Sequence, residues 1–253
     1  MAKHPPFPVY AALLVLTAAL GSCAKDEEDA PPDAPGGGSG NNTTAGITPS
    51  YADADAVLAA VRVNATQSTP LGNIDVVIGG ATALFSTDGL STLLNVGTVT
   101  CNGDALTALG NQAYAYSPAA TAPTGIDLTA SNSVTWVVEG GNGFAGFERT
   151  LSGPFPAAGS ITSGGTVVRA NGYTLTSDAM LGADSVLFTL GPVVRVVPGN
   201  TTSHTFSAQD LASLNPGSAT AQVVGYSGSS EDIGGRLVYF VKQSAQARSV
   251  TIQ

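Results

Sequence analysis

The chain holds 253 residues, enough for one large domain or two of ordinary size, with nine Lys and Arg against 18 Asp and Glu and a formal net charge of −9. The basic residues are scattered singly from Lys3 to Arg248, so no phosphate-binding stripe exists and nucleic acid is excluded as a partner. Charged residues make up 11%, hydrophobic residues 43%, and Gly plus Pro 46 positions, which together exclude a disordered chain and a coiled coil. Thr at 27 positions and Ser at 23, mixed with Val and Gly, suit short strands joined by tight turns.

The chain begins with one early lysine, an apolar run from Val9 to Leu20, and small residues ending in Cys23. A run of 12 residues is too short for a membrane span, which takes about 20, and reads as a secretion signal. Leu20-Gly21-Ser22-Cys23 resembles the lipobox of bacterial lipoproteins. The resemblance implies a signal peptide over 1–22, removed on export, and a lipidated Cys23 as first mature residue. Two or three acyl chains (palmitate-like) at about 0.8 kcal/mol per buried methylene would make a stable membrane anchor. Ala24-Lys25-Asp26-Glu27-Glu28-Asp29 follows, and Lys25, Asp26 and Glu27 resemble the export signal of surface lipoproteins in some Gram-negative bacteria. The implied location is the outer membrane, facing the cell exterior. Residues 30–46, rich in Pro, Gly, Ser and Asn, read as a disordered tether, so that 23–46 is linker.

Past Ile47, short apolar runs with period-two alternation are broken every eight to twelve residues by turn residues, which predicts an all-β body. Asp53–Arg62 reads as a short helix starting after an Asp cap or as a strand continuing into Val63, and its alanines favour the helix. Strands are expected at Ile74–Ile78, Ala81–Phe85, Val96–Cys101, Ala105–Leu109, Ala113–Tyr116, Ser133–Val138 and Phe144–Leu151, with Asn102-Gly103 as a type I′ hairpin turn. Pro154-Phe155-Pro156-Ala157-Ala158-Gly159 is the expected boundary between a β-rich module over 47–156 and a second over 157–253. In the second, strands fall at Ser185–Leu190, Val193–Val197, Ala219–Tyr226, Leu237–Lys242 and Arg248–Ile252, and Ser207 with Asp210 has capping-box spacing. The strand count resembles an immunoglobulin-like or fibronectin-like β-sandwich, so the expected fold is two β-sandwich modules after a signal peptide and tether.

Gly141-Asn-Gly143-Phe-Ala-Gly146 matches the dinucleotide-binding spacing, but only seven residues separate Gly146 from Pro154, leaving no room for the helix that must present its N-terminus to a pyrophosphate. A hairpin loop is expected there, and no cofactor. Cys101 is read as a core thiol and His204 as structural, since a zinc site needs three or four ligands and these two stand in different expected modules. Asp53 with Asp55, and Glu231 with Asp232, lack the full spacing of a calcium loop, so no metal is expected. Glu139, Glu148 and Asp127 are the candidates for a paired-carboxylate hydrolase of polysaccharide or peptide, which needs two carboxyls about 5 Å apart or somewhat more. The side chains weighed for ligand stacking are Trp136, Tyr114 and Tyr116; Trp136 shares its strand face with Val134 and Val138, a core pattern, and the tyrosine pair stands open between core and surface. The leading functional expectation is a non-catalytic, lipid-anchored surface module, structural or binding a glycan or protein, with the membrane as partner through its lipid; the alternative is the surface hydrolase.

Overall fold

The computed structural model describes residues 51, 53–69, 72–118, 122–130 and 132–253. The expected signal peptide, Cys23, the Lys25–Glu27 export segment and the tether to 46 lie outside the described residues. Among the described residues no helix is long and apolar enough to cross a membrane.

The fold is all-β. In chain order the strands are β1 (Ala56–Thr69), β2 (Gly72–Phe85), β3 (Val99–Cys101), β4 (Asp104–Ala105), β5 (Thr107–Ala108), β6 (Tyr114–Ala115), β7 (Val134–Val138), β8 (Phe147–Leu151), β9 (Ala157–Ala158), β10 (Thr166–Val167), β11 (Tyr173–Thr176), β12 (Met180–Leu181), β13 (Ser185–Leu190), β14 (Val193–Pro198), β15 (Ser203–Phe206), β16 (Gly217–Asp232) and β17 (Leu237–Ile252). A single helical turn, α1 (Ala208–Leu211), carries the expected capping box: Ser207 Oγ accepts the Asp210 N–H and the Asp210 carboxylate accepts the Ser207 N–H.

One sheet runs β14-β13-β16-β17-β1-β2-β6-β5, with β10 also paired to β17. Its centre is two long antiparallel hairpins, β1–β2 and β16–β17, joined where β1 lies parallel to β17 from Ala56 opposite Val238 to Asn64 opposite Gln246. A four-stranded sheet, β4-β3-β7-β8, stacks over one end; the pairs β11–β15 and β9–β12, with α1, stand over the other. Two clusters of buried apolar side chains result. The first gathers Leu58, Phe85, Val99, Tyr114, Trp136 and Phe155 with Val238 and Phe240; the second gathers Leu175, Val186, Phe188, Leu190, Phe206 and Leu211 with Val250 and Ile252.

Strand β17 serves both clusters with one face. Its even-numbered side chains alternate onto that face: Val238 and Phe240 enter the first cluster, and Val250 and Ile252 the second. Between them stand Lys242, Gln246 and Arg248, which point at the segment crossing from one half of the chain to the other. Lys242 Nζ donates to the carbonyls of Ser152 and Gly153, Gln246 Nε2 to that of Ala158, and Arg248 Nη1 to that of Ser163. The proline-rich stretch expected to separate two modules is thus held to the middle of β17 by Gln246, with Lys242 just before it and Arg248 just after it.

Several local expectations change, and the strand expected at Ala105–Leu109 is divided between β4 and β5, which belong to different sheets. Asp53–Arg62 holds no helix: from Ala56 the chain is strand, and Ala56–Val61 is buried residue after residue because β1 sits between β17 and β2 with both faces covered. The separate strands at Ile74–Ile78 and Ala81–Phe85 are one strand, β2, running through Gly79-Gly80. Leu237–Lys242 and Arg248–Ile252 likewise merge into β17.

Gly79 shows why β2 needs a glycine. The Ile126 N–H donates to its carbonyl and its own N–H donates to Thr124 O, drawing the loop so close that a Cβ on Gly79 would stand 1.9 Å from the Ile126 carbonyl oxygen. Gly80 next to it has open space. Gly79→Ala is therefore expected to lower stability by about 1–3 kcal/mol, whereas Gly80→Ala should stay within about 0.5 kcal/mol of wild type. Urea unfolding midpoints of the two variants check the pair.

Candidate binding groove

Trp136 is fully buried at the centre of the first cluster, with Val134 and Val138 beside it, and does not stand at the surface. Tyr114 is also in that core. Its hydroxyl accepts the Val96 N–H at 2.8 Å and lies 2.9 Å from both Asn95 Oδ1 and the Gly97 carbonyl, and its ring stands edge-on to Phe85. Tyr116 is half-buried against the same cluster. The three aromatics weighed for ligand stacking therefore pack inward, and no open aromatic platform forms from them.

Cys101 is buried at the end of β3, opposite Trp136, and burial followed by the nearby Asp104 charge pushes its thiol up to about 12. Such a thiol carries almost no thiolate at neutral pH and behaves as an apolar side chain. The Asn102-Gly103 turn beyond it has φ of 51° and 88°, as the type I′ hairpin requires. His204 packs against the rings of Phe188 and Phe206, and burial, reinforced by the Arg195 charge, lowers its pKa below the usual imidazole value.

The carboxylates are held by local structure. Asp127 Oδ1 accepts the N–H and hydroxyl of Thr129 and the N–H of Ala130; Glu139 Oε2 accepts the Thr98 N–H at 2.7 Å. These hydrogen bonds draw both carboxyls below their ordinary pKa, the opposite of what a general acid at neutral pH requires. Glu148 lies exposed on β8 opposite Val137. Asp53 accepts the Tyr239 hydroxyl, Asp55 accepts the Leu237 N–H and pairs with Arg236, Glu231 pairs with Arg149, and Asp232 accepts the Gly235 N–H in the β16–β17 turn. The glycine motif at Gly141 is the expected hairpin loop: Gly141 and Phe144 form an isolated bridge between β7 and β8, Asn142 and Gly143 have positive φ, and a Cβ on Gly146 would meet the Glu139 carbonyl at 2.3 Å.

A concavity does exist where none of these residues stands. Strand β8 is the free edge of the four-stranded sheet, and the β16–β17 hairpin extends past it. Between them lies a groove of about 310 Å³, walled by Arg149, Thr150 and Ser152 on one side and by Ser227, Ser229 and Lys242 on the other, with Phe240 among its lining. At the rim, Arg149 Nε sits 2.7 Å from Glu231 Oε2 with both side chains about half exposed, a pairing worth little in stability.

Lys242 is the unusual member. It is 5% exposed, in the same in-facing row as Val238 and Phe240, and its ammonium lies 5.7 Å from the centre of the Phe155 ring. Arg62 covers the same ring at 4.6 Å. Two backbone carbonyls hold the ammonium, at 2.9 and 2.6 Å, and burial lowers its pKa below the usual lysine value. Among the described residues no carboxylate lies within ion-pairing distance of it. The sequence did carry a signal for this site: Val238-x-Phe240-x-Lys242 places a charge in register with two core positions, which a strand does only where the charge has a task or a partner.

No protein-family model matches the chain, and no curated protein matches it significantly.

Proposed function

We propose that this protein is a non-catalytic, lipid-anchored binding protein of the bacterial cell surface, held by Cys23 to the outer membrane, and that its β body takes a glycan in the groove between β8 and the β16–β17 hairpin. The observation that carries the reading is the groove itself. Its walls offer hydroxyls from Ser152, Ser227 and Ser229 and cations from Arg149 and Lys242, the donor types that hold a polyhydroxylated ligand. Among the described residues its lining holds no Asp or Glu, and Glu231 reaches it only at the rim through Arg149, whereas a paired-carboxylate hydrolase has two such groups flanking its cleft. The anchor reading rests on the Leu20–Cys23 lipobox and the export reading on Lys25, Asp26 and Glu27.

Two measurements test it. Replacing Cys23 with Ser is expected to move the protein wholly from the membrane to the soluble fraction and to remove the mass of the lipid, because a hydroxyl does not accept the diacylglyceryl group; unchanged partitioning would refute the anchor. The same soluble mature chain, run through gels containing polysaccharides, is expected to be retarded by at least one of them and to release no sugar from it. Turnover lost on changing Glu139 or Glu148 to Gln would favour the hydrolase.

A further inference from the structure

Resting on the glycan-binding reading, we infer that the groove is specific for an acidic polysaccharide, receiving the carboxylate of a uronic acid residue against the ammonium of Lys242. An ammonium carried into a row of core side chains loses hydration at a cost of several kcal/mol, which an opposite charge or full hydrogen bonding must offset. Lys242 has three N–H donors, and the Ser152 and Gly153 carbonyls take two. One donor remains, and Lys242 is among the residues that line the groove.

The surroundings do not cancel the charge of Lys242. Arg62, over the same Phe155 ring, interacts with the Asp127 carboxylate, and Arg149 is neutralised by Glu231. Acidic residues outnumber basic ones 18 to 9 in the whole chain, yet among the described residues the groove is lined by two basic residues and no acidic one. A carboxylate entering beside Lys242 meets an unpaired cation in a partly dehydrated setting, where the attraction is far stronger than at an open surface. The sugar ring that bears it lies among the Ser227, Ser229 and Ser152 side chains, which suit ring hydroxyls. An acidic peptide would instead add its backbone to the free edge of β8, and poly-glutamate is the probe that separates it from a saccharide. The volume, about 310 Å³, is at the small end of ligand sites and suits one or two sugar units.

The test uses the full mature chain with Cys23→Ser, titrated with three probes: polygalacturonate oligomers, the same oligomers methyl-esterified, and poly-glutamate. The acid is expected to bind at least tenfold more tightly than its ester, and Lys242→Met to remove that difference while the circular dichroism spectrum stays that of wild type. Arg149→Ala should weaken binding less, because its charge is exposed and already paired. The net charge of −9 opposes any diffuse attraction of a polyanion, so the acid-over-ester preference should survive added salt. Equal binding of acid and ester would overturn the carboxylate inference and leave the glycan reading standing. Binding of poly-glutamate in place of the oligomers would overturn the saccharide and point to a protein ligand. Failure to bind any polysaccharide, neutral ones included, would defeat both readings. Should Lys242→Met fail to fold, the acid-against-ester comparison on the parent chain decides alone.

Discussion

Trp136→Ala is expected to cost about 3–5 kcal/mol, enough to unfold a domain of ordinary stability. The indole is fully buried on β7, the central strand between β3 and β8, and it packs in the cluster that joins the four-stranded sheet to the long hairpins. Truncation to a methyl group leaves a cavity walled by both sheets, which cannot collapse without moving one against the other. Trp136→Phe separates volume from polarity. The indole Nε1 has no hydrogen-bond partner, so phenylalanine loses no bond and removes a buried donor that costs free energy. The phenylalanine variant is therefore expected to fall by less than half as much as the alanine one. Urea unfolding followed by circular dichroism gives both values; equal losses would mean that the indole nitrogen is satisfied after all.

What was legible in the sequence follows from which residues face two environments and which face one. The bounds of β13 are legible because Gly182-Ala183-Asp184 and Gly191-Pro192 punctuate an apolar run of strand length, although every position in it is buried. The Asn102-Gly103 hairpin and the Ser207–Asp210 capping box were legible because each is a local device whose chemistry is complete within a few residues. Strand β1 was misread for a physical reason. A central strand buried on both faces loses its alternation, and Ala-Val-Leu-Ala-Ala-Val needs small side chains to let two neighbours approach. Alanine's helix propensity then outweighs the strand reading that the run into Val63 also offers. The length of β17 was hidden by Ser244-Ala245-Gln246, which reads as loop until β16 is seen to pair with it throughout. Lys242 was legible as a charge in a core register, but the groove was not, because one wall comes from β8 and the other from the β16–β17 hairpin some 80 residues later.

Cutting the chain at Ala158–Gly159 tests how far the halves depend on each other, and the expected result is asymmetric. The piece from 159 onward keeps β13, β14, β16 and β17 and nearly all of the second cluster, and it should fold with a β-type spectrum. The piece from 47 to 158 keeps the four-stranded sheet but loses β17, the parallel partner of β1 from Ala56 to Asn64, and with it Val238 and Phe240 of its own cluster. Phe147, which stands edge-on to Phe240, would face water, and Phe155 would lose Lys242. Deprived of one wall of its core and left with a long unpaired edge on β1, this piece should remain unfolded or aggregate alone. Mixing it with the other piece should restore its dispersed methyl resonances in nuclear magnetic resonance spectra, because β17 then offers the missing edge. If 47–158 folds by itself, the two clusters belong to independent modules and the shared sheet is only a junction between them. If the mixture recovers what neither separate solution shows, β17 is the strand on which both cores are built.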